Sequence, residues 1–124
     1  MFRLLPILCL GLATAGVACS GEMTDISQEE LLEAGAGELL VVDVRTAQEF
    51  AASHVPGAIH IPHDELADRL AELGESRERP VVLYCESGRR AGWAVTTLSD
   101  AGFRDVRHLE GDMSGWRAAG LPVE

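Results

Sequence analysis

The 124-residue chain contains no lysine and no asparagine. All ten cations are arginines, which excludes chemistry that needs a lysine of the chain itself: a Schiff base, a PLP enzyme using its own lysine, or a phosphate loop completed by lysine. Without asparagine there is no acceptor for N-linked glycosylation. Positive charge is scarce altogether, ten cations against 20 acids for a formal charge of -10. Such a surface argues against nucleic acid as the main partner. Cysteine is also rare, and three residues cannot make a disulfide framework. The chain does carry a 47% hydrophobic fraction with 24% charge, too apolar for disorder and sufficient for one small core.

Residues 1–18 read MFRLLPILCLGLATAGVA, one arginine before an apolar run that ends in small residues, the plan of a secretory signal peptide. Pro6, Gly11 and Gly16 interrupt the run, and about 16 apolar residues fall short of the roughly 20 a membrane span needs. Residues 19–24 are then expected to be a short tether, and 25–124 the folded domain. Gly16-Val17-Ala18-Cys19 resembles the bacterial lipobox. That resemblance implies a lipid on Cys19 and a place in the periplasm or on the outer face of a bacterial membrane, with ordinary cleavage after Ala18 or Ala15 as the alternative. Cys9 leaves with the signal and Cys19 lies at the new terminus, so Cys85 is the one cysteine left inside the domain. Small exported domains use cysteines in pairs for stability, so a single one is better explained by reactivity. The competing reading is a small buried hydrophobe.

Strand and helix signals alternate along the domain. Ser27-Gln28-Glu29-Glu30 and Thr46-Ala47-Gln48-Glu49 have the form of capping boxes that open helices. Leu39–Val44, Ala58–Ile61, Val81–Tyr84 and Val106–Leu109 read as strands, and the nearly continuous aliphatics of the first and third suit strands covered on both faces. Leu66, Leu70 and Leu73 recur at helical spacing, and Ala91–Ala101 reads as a helix stopped by Gly102. The expected fold is α/β, a mainly parallel central sheet flanked by helices on both faces. Sites in such sheets form beyond the carboxyl ends of the strands.

Cys85 falls at such an end, directly before the Ala91–Ala101 helix. There, unpaired backbone amides and nearby cations favour the nucleophilic thiolate. Gly88 permits a tight turn that converges amides on an anion, and Arg89 and Arg90 reverse the local sign of charge. Glu86, one residue after the cysteine, opposes an anionic donor unless its side chain points away.

These residues carry a resemblance to the single-domain rhodanese, or thiosulfate sulfurtransferase-like, family. Asp43-Val44-Arg45 resembles its aspartate-x-arginine, and Glu49-Phe50 its acidic-aromatic pair. Ser53-His54-Val55-Pro56-Gly57-Ala58-Ile59-His60-Ile61-Pro62 resembles its histidine-isoleucine-proline-glycine-alanine signature. Leu109-Glu110-Gly111 through Trp116 resembles its carboxyl-terminal glycine-glycine and tryptophan segment, with Asp112 in place of the second glycine. The resemblance implies a sulfurtransferase in which Cys85 takes sulfane sulfur from thiosulfate or a persulfide as its own persulfide. It passes the sulfur to a thiol or cyanide acceptor. It further implies donor binding by Arg45, Glu86, Ser87, Gly88, Arg89 and Arg90, with Arg90 closing the loop and Arg45 a second cation at its mouth. Neither a metal nor an organic cofactor is implied, and the domain is expected to be a monomer.

Two other functions compete for the same residues. Dual-specificity phosphatases of this fold resemble cysteine-x5-arginine, one residue longer than Cys85 to Arg90, so phosphatase or arsenate reductase chemistry fits less well. A catalytically silent binding module at the membrane surface is the alternative from another class. Asp43, His54, His60 and His63 are read as structural, with a place at the mouth as the alternative for His63, and His60 with His63 as too little for zinc.

Overall fold

The structure is a computed structural model that describes residues 24–35, 37–74, 77 and 79–124. The expected signal segment, and Cys19 with its expected lipid, lie outside the described residues. Local signals open the first two helices as the sequence predicts. Ser27 accepts the amide of Glu30 while Glu30 reaches back to the amide of Ser27, starting α1 (Gln28–Glu33). Thr46 and Glu49 repeat the exchange at α2 (Ala47–Ala52). Each reciprocal pair satisfies two of the amides that a helix start leaves unpaired.

Strands β1 (Thr24–Ile26), β2 (Leu40–Asp43), β3 (Ile59–His60), β4 (Val81–Tyr84) and β5 (Val106–Leu109) alternate with α1, α2, α3 (Arg89–Asp100) and α4 (Asp112–Ala118). They form one sheet in the order β1-β5-β4-β2-β3, and its strand pairs are parallel. Side chains alternate across it as the pleat requires. Val81 and Leu83 join Val42, Val44 and the α3 residues Ala91, Ala94, Val95 and Leu98 on one face. Val82 and Tyr84 join Ile26, Met113 and Trp116 on the other, where Leu31 of α1 and Phe50 of α2 also pack. Helices therefore cover both faces, as the apolar pattern predicts. Strand β4 lies at the centre with all four residues buried, which is why its sequence lacks polar alternation.

Two elements differ from the sequence reading. Thr24, assigned to the tether, begins β1, an edge strand that pairs with β5 through Thr24↔Arg107 and Ile26↔Leu109. Its three residues carry too little local pattern to announce a strand, and the pairing is entirely long-range. The segment of Leu66, Leu70 and Leu73 forms two 3-10 turns, Leu66–Asp68 and Leu70–Leu73, instead of one helix. Neither turn has a side-chain cap at its start, and a short helix without one is poorly nucleated. Leu66 and Leu73 are nonetheless buried on the α3 face.

The parallel arrangement brings the ends of four strands to one edge of the sheet. Arg45 follows β2, His63 follows β3, Cys85 follows β4, and His108 is the third of the four residues of β5.

Candidate active site

Cys85 leaves the central strand with its side chain in the core, 1% exposed. The loop that follows turns back at once, and the amide of Gly88 donates to Sγ of Cys85 at 2.9 Å. Gly88 can do this because its φ is 106°, a left-handed conformation that costs a glycine little. It is also the N-cap of α3 and offers no side chain to the helix. The next amides, of Arg89, Arg90 and Ala91, have no carbonyl partner within the helix. The sulfur thus lies at the positive end of a twelve-residue helix dipole.

The rest of the loop is tied to α4. Met113 N–H donates to the Cys85 carbonyl at 2.9 Å and Ser114 N–H to the Glu86 carbonyl at 3.1 Å. The Cys85 amide donates to Oδ1 of Asp112 at 3.0 Å. Asp112 is 3% exposed and has a φ of 54°, a region aspartate tolerates better than most residues. Both of its oxygens lie 2.9 Å from Nε2 of His108. The hydrogen bond to Asp112 holds His108 above its ordinary pKa; burial opposes this, and the charges of Asp112 and Asp25 reinforce it.

The three arginines differ in their surroundings. Arg45, expected as a cation at the mouth, is 2% exposed. Its Nε and Nη2 donate to Asp43 at 2.7 to 3.0 Å, its Nη2 also to the Ser53 carbonyl at 2.6 Å, and its Nη1 to Glu86 at 3.1 Å. A guanidinium this deeply buried must be answered by carboxylates, and Arg45 is a tie between β2, the Ser53 segment and the cysteine loop. Arg90 is likewise engaged, through two hydrogen bonds to Glu49 at 2.6 and 3.0 Å that join α3 to α2. These bonds hold the Glu49 carboxyl down at about 2. Arg89 alone of the three has no carboxylate partner among the described residues; it is exposed and lies over the Trp93 ring at 5.5 Å.

Glu86 directs its carboxylate to Arg45, Arg117 and the Ser114 hydroxyl, so its charge is compensated outside the loop. Ser87 is exposed at the crown of the loop. His63 packs its ring against Trp93, centroids 5.3 Å apart. His54 and His60 stack on Phe50, and each directs a ring nitrogen at a backbone carbonyl, of Phe50 and Arg45 respectively.

The sequence reading singled out neither His108 nor Asp112 as a site residue. The rule that directs attention to the carboxyl ends of parallel strands points to His108 once β5 is assigned. Asp112 stands out only as a replacement for a glycine, and that local departure does not tell that its carboxylate reaches Cys85 through the turn between β5 and α4.

A parallel sheet flanked by helices, with a cysteine held on a loop amide between its central strand and the start of a helix, defines a class of α/β domains. Within that class the chain belongs to the rhodanese-like domain family, whose model matches residues 27–119. It is 45% identical over 117 residues to an HTH-type transcriptional regulator of Mycobacterium tuberculosis, covering 93% of this chain and 50% of the regulator. The chain thus spans half the length of that relative. It is 36% identical over 104 residues to a thiosulfate sulfurtransferase of Pseudomonas putida, covering 83% of this chain and 92% of that one. Among solved structures, a rhodanese-related protein from Thermoplasma volcanium superposes with a TM-score of 0.70 at 28% identity, covering 82% of this chain and 97% of the other.

Proposed function

We propose that this domain is a sulfurtransferase that carries sulfane sulfur on Cys85. The thiolate attacks the outer sulfur of thiosulfate or of a persulfide. The sulfur–sulfur bond of the donor breaks, and sulfite or a thiolate leaves with the electron pair. The Cys85 persulfide anion remains beside the Gly88 amide and the start of α3. A cyanide ion or a thiolate then attacks its terminal sulfur and returns Cys85 to the thiolate. Amides aimed in advance at negative charge stabilise such a displacement without reorganising. The observation that carries this reading is the 2.9 Å bond from Gly88 N–H to the Cys85 sulfur. It is supported by likeness to a relative named as a thiosulfate sulfurtransferase over nearly that relative's whole length.

The experiment is mass spectrometry of the reduced protein after exposure to thiosulfate or a low-molecular-weight persulfide. The expected result is a gain of one sulfur atom on Cys85, discharged by cyanide as thiocyanate and absent from Cys85→Ser. No gain with either donor would sink this reading and favour the alternative, a rhodanese-like regulatory or binding module. What favours that second reading is the similarity to half of a transcriptional regulator.

A further inference from the structure

The cysteine loop rests on a carboxylate, which its proposed chemistry does not call for. Asp112 accepts the amide of the residue whose sulfur would become anionic, and a carboxylate there disfavours a thiolate, a persulfide and an approaching thiosulfate alike. The same carboxylate lies against the other end of the loop: a β-carbon on Gly88 would stand 3.0 Å from Oδ2 of Asp112 and 3.7 Å from Nε2 of His108. Among the described residues, His108 is the one charge-bearing partner of Asp112. The groups that face His108 are Asp112 from α4 and Asp25 from β1, whose Oδ1 lies 3.5 Å from Nδ1. The neighbouring arginines are engaged elsewhere, Arg107 with Asp105, Arg45 with Asp43 and Glu86, and Arg90 with Glu49.

We propose that His108 and Asp112 are positioning residues for sulfur transfer, in which the imidazolium of His108 cancels the Asp112 charge behind the loop and its deprotonation switches that cancellation off. Asp112 fixes the Cys85 amide, and His108 decides whether the support beneath the loop is neutral or negative. Attack by Cys85 on an anionic donor is then assisted at pH values where His108 is protonated and hindered above them. The pH–rate profile should therefore carry a falling limb that follows His108. The geometry stands by itself; the raised pKa of His108 extends the assisted form toward neutral pH.

The inference rests on the sulfurtransferase reading, and two variants with two readouts test it. His108→Gln keeps a donor for Asp112 without the charge. Asp112→Asn keeps an acceptor for the Cys85 amide, tolerates the left-handed backbone and removes the negative charge. The first readout is sulfite release from thiosulfate from pH 5.5 to 9. His108→Gln should lower kcat/KM about tenfold at the acid end, as expected for one uncompensated charge near the reacting sulfur, and match the unaltered protein at the alkaline end. Asp112→Asn should lose the falling limb without that penalty. The second readout is alkylation of Cys85 by iodoacetamide, which needs only a thiolate and proceeds whether or not the protein transfers sulfur. Slower alkylation of His108→Gln at acid pH supports the coupling. A falling limb unchanged in both variants, or alkylation rates equal to those of the unaltered protein across the range, overturns the inference. Absence of a persulfide on Cys85 with either donor, with the alkylation difference intact, would overturn the sulfurtransferase reading alone.

Discussion

An arginine paired with carboxylates is held by the fold, and an exposed one without such a partner is available to a ligand. Arg45 and Arg90 direct their guanidinium groups to Asp43, Glu86 and Glu49, whereas Arg89 lies exposed on the face of Trp93. On the sulfurtransferase reading, an anionic donor approaching Cys85 would meet Arg89 as the accessible cation of the loop. Arg89→Ala should raise KM for thiosulfate about fivefold, the size expected for an exposed ion pair, with kcat little changed. Steady-state kinetics with dianionic thiosulfate and with a less charged persulfide donor checks this: an equal rise for both donors would argue against charge recognition. The sequence made the cysteine, the glycine and the three arginines legible as a group. It did not show that Arg90 is tied to Glu49 or that Arg45 reaches Glu86, because each of these partners lies 41 residues away, whereas Asp43 lies beside Arg45 in sequence.

The tie between α2 and α3 is the element-scale counterpart. Glu49 serves twice, as the capping-box acid of α2 and as the receptor of the Arg90 fork. Its folded pKa of about 2 lies below the ordinary 4.5, so the stability it contributes is complete above the unfolded value. That stability fades as pH falls from 4.5 toward 2. Arg90→Ala should cost about 1 kcal/mol near neutral pH, after allowance for solvent screening, and progressively less in acid. Urea denaturation at pH 7 and pH 3 measures the difference, and an equal cost at both would place the effect in packing. Both capping boxes were legible because each is local, four residues long and chemically specific. The two 3-10 turns were not, because leucine spacing records which side chains are buried and not which hydrogen bonds the backbone makes.

The whole molecule carries 20 acids against ten arginines, and several of those arginines are neutralised within it. A dianionic donor approaches against this field. Thiosulfate turnover should therefore rise about twofold between 20 and 200 mM salt, as the Debye length shrinks below the size of the domain. Initial rates over that range decide the point, and a steep fall would show that Arg89 outweighs the net charge. The fold class was legible at this scale because alternating apolar strands and helices admit few arrangements. Strand order was not, since it depends on contacts between distant segments.

That order has a consequence for how the chain reaches its folded state. Among the described residues, strand β1 pairs with β5 alone, 83 residues further on. Pairings so far apart in sequence close late and slowly. The sheet cannot be completed until residues 107–109 have emerged from the ribosome, so a nascent chain still missing them has no partner for its first strand. Closing that last pair brings Asp25 beside His108, and the support beneath the cysteine loop becomes complete only when the domain itself is.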